Sequence, residues 1–406
     1  MSKHDVIVIG AGMSGLAFAH HAARAGRSVL VLEREKRVGG CVHTHRTGPG
    51  YWFELGAHTC YNSYLALTEI LEELGMRDKV LRREGSRLRF LRDDRLVKGS
   101  NLSALMRLFS WGELLPRLPR LLTEQKDGKT VYGYYSRIVG RRNYGEVLGP
   151  MLSAVPSQSA DAFPAGMLFK SRGSRRKSYP RSFTLEGGLG SLPLALARGP
   201  RVEVLLGRAA TGIGRTRDGF FIESEAARHE AGVVALATPP GAAAQLLRQV
   251  APELASRVAR VKETRVESLG FAVRAEAVHL PVSMFLIPRD DLFYSVVTRD
   301  SVPDKGFRGF AVHFKPGLSR EARLERAARI LALEPRRLED VTERVSVLPS
   351  PVLGHENLVR EIDRLLAKER LCATGNWFSG LSIEDCLQRS RAEWERVAAL
   401  DAKLAS

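Results

Sequence analysis

Six residues near the start of the chain, Gly10-Ala11-Gly12-Met13-Ser14-Gly15, have the types and spacing to receive a phosphate. They follow the apolar run Val6-Ile7-Val8-Ile9 and precede a helix-forming stretch, Leu16 to Arg24, that ends at Gly26. In such a strand, turn and helix, the first glycine makes the tight turn and the second lets backbone approach a pyrophosphate. The third lets helix and strand pack closely, and the helix N-terminus faces the phosphate charge. A second apolar run, Val29-Leu30-Val31-Leu32, ends in Glu33, 23 residues after Gly10. A carboxylate there accepts hydrogen bonds from ribose hydroxyls and repels a 2′-phosphate, which points to FAD or NAD rather than NADP.

More glycines follow in Arg37-Val38-Gly39-Gly40-Cys41 and in Phe53-Glu54-Leu55-Gly56-Ala57-His58. A second glycine pair so close to the first suggests a second backbone approach to one extended ligand. At these residues the sequence resembles the flavin amine oxidase and protoporphyrinogen oxidase superfamily, and the order of the segments matches. The resemblance continues through Thr184-Leu185-Glu186-Gly187-Gly188-Leu189-Gly190-Ser191-Leu192-Pro193, through Val233 to Pro240, and through Gly375 to Cys386. It resembles protoporphyrinogen oxidases most in that last stretch.

What the resemblance implies is an α/β protein. A discontinuous Rossmann-type FAD-binding domain would come from residues 1–75, 184–250 and 355–406, and a mixed α+β substrate domain from 76–183 and 251–354. The residues expected along FAD are Gly10 to Gly15, then Glu33 with Arg34, then Gly39, Gly40 and Cys41. Gly56, Ala57, His58 and Thr59 would line the ring, Ala210 the adenine, and Gly375, Asn376, Leu381, Ser382 and Ile383 the closing end. A flavin accepts a hydride at N5, so the protein holds a C–H bond near that atom and excludes water, and few acids or bases are needed. His58 is the expected catalytic side chain, anchoring a substrate carboxylate or accepting a proton near neutral pH. Tyr61 and Asn62 are expected in the same cavity, with Trp377 and Phe378 as its wall or as core.

Two departures stand out. Many protoporphyrinogen oxidases carry an arginine within the segment that reads His58-Thr59-Cys60-Tyr61-Asn62 here, and amine oxidases commonly have one where Cys41 stands. Cys372 precedes the closing motif and Cys386 follows it, so the FAD is expected to be non-covalent. The activity implied is protoporphyrinogen oxidase-like: hydride removal from a cyclic or conjugated substrate, with electrons passed to dioxygen or a quinone. The alternatives are an amine or amino-acid oxidase, an isoprenoid desaturase, a nicotinamide dehydrogenase and a non-catalytic FAD-binding protein.

The elements that would position these residues need a sizeable core, and 406 residues with 44% hydrophobic and 26% charged composition supply one. These proportions argue against a disordered or membrane-embedded chain. Residues Val202 to Glu223 read as strand, turn and strand. Strands are expected at Arg87 to Phe90, Arg95 to Lys98, Val266 to Val273, Val282 to Ile287, Phe293 to Val297 and Gly309 to Phe314, with a helix at Arg320 to Leu333. The net charge of +17 favours anionic partners. No nucleic-acid motif accompanies it, so the expected partner is a small, acidic or hydrophobic substrate. Between Leu102 and Leu122, apolar residues interleave with arginines around breaks at Pro116 and Pro119. That pattern suits a half-buried helix or a peripheral membrane contact. The basic group Lys170, Arg172, Arg175, Arg176, Lys177 and Arg181 suits a solvated loop or an entrance for carboxylates. Four cysteines without a CxxC pair, and a start without a signal peptide, suggest reduced thiols and a cytoplasmic location with possible membrane association.

Overall fold

The computed structural model describes residues 2–48, 50–83, 87–98, 101–168, 170, 172–225 and 227–405. Its first sheet is built on the run Ser2–Ile9, which pairs in parallel with Val29–Glu33 on one side and Ala227–Leu236 on the other. Val202–Leu206 adds a further parallel strand beside Val29–Glu33. Continuous apolar runs such as Val29 to Leu32 belong in a sheet covered on both faces. Val6, Val8, Val29 and Val31 pack toward the helix Met13–Arg24, while Ile7, Ile9, Leu30 and Leu32 pack toward the helices Pro240–Leu247 and His355–Leu366.

The strand Ala227–Leu236 changes partners along its length. Its first half lies antiparallel to Phe220–Ser224, and its second half lies parallel to Leu371–Ala373. The sequence expectation of one hairpin over Val202 to Glu223 needs correction, because there are three strands. Val202–Leu206 joins the parallel layer, a turn at Gly207 with φ of 65° intervenes, and Ala210–Arg215 then pairs with Phe220–Ser224.

A second seven-stranded sheet runs in the order Glu339–Pro349, Glu263–Arg274, Phe307–Phe314, Phe293–Thr298, Phe285–Pro288, Leu88–Arg92 and Arg95–Leu96. Only the pairing of Phe285–Pro288 with Leu88–Arg92 is parallel. Leu269, Phe271, Phe310, Val312 and Phe314 share one face, closed by the helix Arg320–Ile330 through Ala327 and Ala328. The opposite face meets the first region. Gly270 and Gly309 are needed there because a Cβ at either would strike the Phe53 side chain, at 2.6 and 2.8 Å. The sequence reading missed the strand Glu339–Pro349. As a sheet edge it is only half covered, and its charged Glu343 and Arg344 hide a period-two pattern.

Candidate functional site

The fingerprint folds as its spacing predicts. Gly10 has φ of 107° and donates its amide to the Leu32 carbonyl at 2.8 Å. A Cβ on Gly10 would sit 2.6 Å from the Ala237 carbonyl oxygen, and one on Gly15 would sit 1.9 Å from the Gly10 oxygen. At Gly12 the nearest atom to such a Cβ is the Gly40 Cα at 3.9 Å, so this glycine is crowded less than Gly10 and Gly15. The helix begins at Met13 and Ser14, earlier than the expected Leu16. Glu33 accepts hydrogen bonds from the amides of Ala11 at 2.7 Å and Glu35 at 2.8 Å, one on each oxygen. Lone pairs remain for a ribose, since a carboxylate accepts about four hydrogen bonds. Arg34 is exposed beside it. The Arg208 amide donates to the Glu33 carbonyl, which brings Ala210, two residues on, toward the same strand end.

Residues far apart in the sequence meet around this turn. Gly12 bridges to Gly39, the Gly39 amide donates to the Ala11 carbonyl at 2.7 Å, and a Cβ on Gly40 would lie 3.0 Å from the Gly12 Cα. Gly56 packs so closely on Cys41 that its Cβ would reach the Cys41 carbonyl oxygen at 1.9 Å. Cys41 itself is exposed. The Thr374 amide bonds the Leu236 carbonyl and the Ser390 hydroxyl bonds the Ser14 carbonyl, so the closing motif is tied to both other segments. Gly375 is buried and Asn376 half-buried, and Ala57 and Thr59 are half-buried. The buried hydroxyls of Thr59 and Thr238 have no partner among the described residues.

The helix Ile383–Ala405 starts with a reciprocal cap. The Asp385 amide donates to the Ser382 hydroxyl at 3.1 Å, and Asp385 accepts from the Ser382 hydroxyl at 2.6 Å. Leu381 and Ser382 are half-buried and Ile383 is buried. Glu384 is fully buried and accepts from the amides of Ala66 and Leu67 at 3.0 and 3.1 Å. It therefore caps the helix Leu65–Glu73 from a distant part of the chain. Arg172 donates to the Ser382 hydroxyl at 3.0 Å and the Asp385 carboxylate at 2.9 Å, and Lys170 lies 3.6 Å from Asp385. Two of the six residues of the expected solvated loop, Lys170 and Arg172, thus strap the closing motif, Arg176 pairs with Glu72, and Arg175, Lys177 and Arg181 are exposed.

Glu54 does structural work. Buried, it accepts from the Leu189 amide at 2.7 Å and the Thr44 hydroxyl at 2.8 Å, and burial pushes its carboxyl up to about 7. His58 is held by its Gly56 carbonyl contact at 3.0 Å and meets the Phe285 ring edge-on at 4.9 Å. Burial and the charge of Arg83 push its imidazole down to about 3. It is therefore neutral near pH 7 and suited to hydrogen bonding, not to the proton uptake expected near neutrality. Tyr61 is exposed and edge-on to Tyr64 at 5.5 Å. The Asn62 carboxamide donates to the Tyr179 carbonyl at 3.3 Å, and its backbone pairs with Arg176 and Arg181, so it tethers a loop. Trp377 and Phe378 are buried and stacked at 3.8 Å in the core, which removes them from the expected wall.

Sequence reasoning missed Arg83, Ser268, His313 and Arg344. Arg83 is buried, donating to the Ser301 hydroxyl at 2.8 Å and the His58 carbonyl at 3.1 Å. It brings from another strand end a guanidinium that the His58 to Asn62 segment lacks. Arg344, Ser268, His313 and Ser295 are cross-strand neighbours in one row of the second sheet. They share the parity of Gly270, which packs on Leu55 and Phe53, so this row belongs to the face toward the glycine loops. His313 Nδ1 lies 2.8 Å from the Ser268 hydroxyl. Nothing in an alternating strand pattern separates these polar residues from solvated ones.

Comparisons with known proteins agree with this geometry. A family profile described as flavin containing amine oxidoreductase matches residues 13–273, more than half of the chain. A 15-cis-phytoene desaturase of Narcissus pseudonarcissus is 33% identical over 82 residues, 20% of this chain and 14% of that protein. The match thus spans only a small part of that relative. A structure provisionally named protoporphyrinogen oxidase, from Exiguobacterium sp. 255-15, superposes with a TM-score of 0.79 at 18% identity, covering 98% of this chain and 99% of that one. Cyclohexylamine oxidase from Brevibacterium oxydans IH-35A superposes with a TM-score of 0.69 at 16% identity, covering 99% and 100%. At such identities the superpositions speak for the fold.

Proposed function

The chain belongs to the flavin containing amine oxidoreductase family, and from that premise we propose that it removes hydride from a cyclic or conjugated organic substrate in a protoporphyrinogen oxidase-like reaction. It is an FAD-dependent oxidoreductase with an α/β fold. The observation that carries the reading is the direct backbone apposition of Gly12 with Gly39 and Gly40, with Gly56 against Cys41 behind them. Such contacts bring the backbone of these segments together without intervening side chains, a furrow we read as the seat of one long dinucleotide. In our assignment residues 1–75, 184–250 and 355–406 hold the cofactor without a covalent bond, and 76–183 with 251–354 cover the substrate.

When bound, the flavin supplies the hydride acceptor. The chain's part is placement. Gly10 to Gly15 would take the diphosphate, with Glu33 and Arg34 at the ribose and Ala210 at the adenine. Gly39, Gly40 and Cys41 would run along the middle. Gly56 to Thr59, Gly375, Asn376 and Leu381 to Ile383 would frame the ring. His58, neutral, would accept or donate a hydrogen bond to the substrate, and the apolar Phe285 beside it would exclude water. Electrons would leave to dioxygen or a quinone. Asn62 tethers a loop through the contacts above, and Tyr61 is exposed beside Tyr64.

The test is anaerobic: purified protein is mixed with tetrapyrroles, amines, amino acids and polyenes while the flavin absorbance is followed. Bleaching by a cyclic or conjugated compound supports the proposal, with hydrogen peroxide release on aeration marking dioxygen as acceptor. Bleaching by amines alone supports an amine oxidase, and a flavin that no compound reduces supports a binding protein. Mass spectrometry of the denatured material identifies the released cofactor.

A peripheral membrane contact forms part of the proposal. Met106, Trp111, Leu115, Leu118, Leu121 and Leu122 are exposed, Leu122 at 92%, along a stretch that also carries Arg107, Arg117 and Arg120. No helix among the described residues is long and apolar enough to cross a bilayer. Apolar side chains beside arginines suit the surface of anionic lipid. Flotation with anionic liposomes should carry the protein, and Leu121→Asp with Leu122→Asp should leave it at the bottom of the gradient.

A further inference from the structure

Arg344 reaches out of the substrate-side sheet into the glycine loops. Its strand, Glu339–Pro349, is the sheet edge, yet the side chain is only 13% exposed. It donates to the Gly40 carbonyl at 3.0 Å, meets both oxygens of Glu35 at 3.4 Å, and lies 3.5 Å from His43 Nδ1. Its Nε is buried without a partner among the described residues. Arg37 donates to the same Gly40 carbonyl at 2.7 Å and pairs with the same Glu35 at 3.1 Å. Two guanidiniums therefore crowd one carbonyl and share one carboxylate. Burial and then the charge of Arg344 lower the ionisation of Arg37, and burial and then both guanidiniums lower that of His43. Glu33, the other nearby acid, already receives two backbone amides.

Like charges gathered around a glycine pair are costly unless an anion joins them. The carbonyl they grip belongs to Gly40, whose Cα faces Gly12, the glycine at which a dinucleotide diphosphate approaches the backbone. Guanidinium groups suit such an oxygen-rich anion because they present paired N–H donors in a rigid fork. We propose that Arg344 is a diphosphate-binding arm of the FAD site supplied by the substrate-side sheet, so that cofactor binding fastens the two sheets together. The proposal rests on the reading of the glycine furrow given above.

Glu35 provides the discriminating variant, because it competes with the diphosphate for Arg344. In the full-length chain, Arg344→Gln should weaken FAD binding about tenfold or more, and Arg344→Lys should recover part of the loss. Glu35→Gln should instead leave FAD binding unchanged or tighten it. Direct titration of the FAD-free proteins separates the diphosphate from the rest of the ligand: the dissociation constant of ADP should rise at least tenfold in Arg344→Gln, while that of adenosine should be alike in both proteins. Urea midpoints of the FAD-free chains report any loss of fold. If Arg344→Gln holds FAD as wild type does, or Glu35→Gln and Arg344→Gln weaken it alike, or adenosine and ADP suffer equally, the proposal is overturned. A wild-type chain that takes up neither FAD nor ADP overturns the cofactor reading as well.

Discussion

The glycine furrow and the sheet facing it are built by opposite rules. In the furrow, backbone touches backbone: Gly15 on Gly10, Gly40 on Gly12 and Gly56 on Cys41, with no room for a methyl group at the closest of them. Across from it, the row of Arg344, Ser268, His313 and Ser295 acts through side chains on ordinary strands. Steric exclusion at the furrow restricts residue type almost completely, whereas a strand accepts many residues at the same position. One region is accordingly fixed by geometry and the other is free to change its chemistry.

The hardest blow to the furrow is Gly15→Val. A side chain forced to within 1.9 Å of the Gly10 oxygen should abolish flavin retention, read as the ratio of flavin to protein absorbance. Retained flavin would break the contrast drawn here. Next comes Glu384→Ala, which strips a buried cap from the amides of Ala66 and Leu67. Leaving those donors unpaired should cost about 1–3 kcal/mol, seen as a lower urea midpoint. Because Glu384 serves a helix and not the furrow, flavin content should hold.

A smaller effect is pH-linked. The Glu54 carboxyl is raised from 4.5 to about 7 in the folded protein. The unfolded chain gives up this proton first, so Glu54 contributes stability that is complete below pH 4.5 and disappears as the pH rises through 7. Glu54→Gln should flatten that decline in the denaturation midpoint. His58 works in the other direction, since its lowered ionisation costs stability as the pH falls from 6.5 toward 3. The pH profile of kcat should therefore show no ionisation near 6 that His58→Gln removes, while KM rises. The mildest change is Asn62→Ala, which loses one loop hydrogen bond worth about 1 kcal/mol and should shift stability slightly without altering KM.

Legibility followed the same division. Gly10 to Gly15, Glu33, Gly39-Gly40 and the parallel strands around them could be read because steric necessity leaves few residues able to serve. The three strands between Val202 and Ser224 look like two in the sequence, since Gly207 and its neighbours mark only a short turn between strands of similar character. Glu339–Pro349 was invisible, because at a sheet edge its charges look like those of a loop. Lys170 and Arg172 looked like a solvated run, and only the fold brings Asp385 and Ser382 beneath them. His58 stands out in the sequence by its place two residues after Gly56. Its protonation depends on burial and on Arg83, which sequence distance conceals.

The strand whose two halves have different neighbours also sets an order of events during synthesis. Val234, Ala235 and Leu236 can align with Ile7, Val8 and Ile9 early, but their other side waits for Leu371, Cys372 and Ala373, more than 130 residues later. Until those emerge from the ribosome, a bare sheet edge is open to pairing with other chains. Nascent protein stalled before residue 371 should be the form most in need of a chaperone.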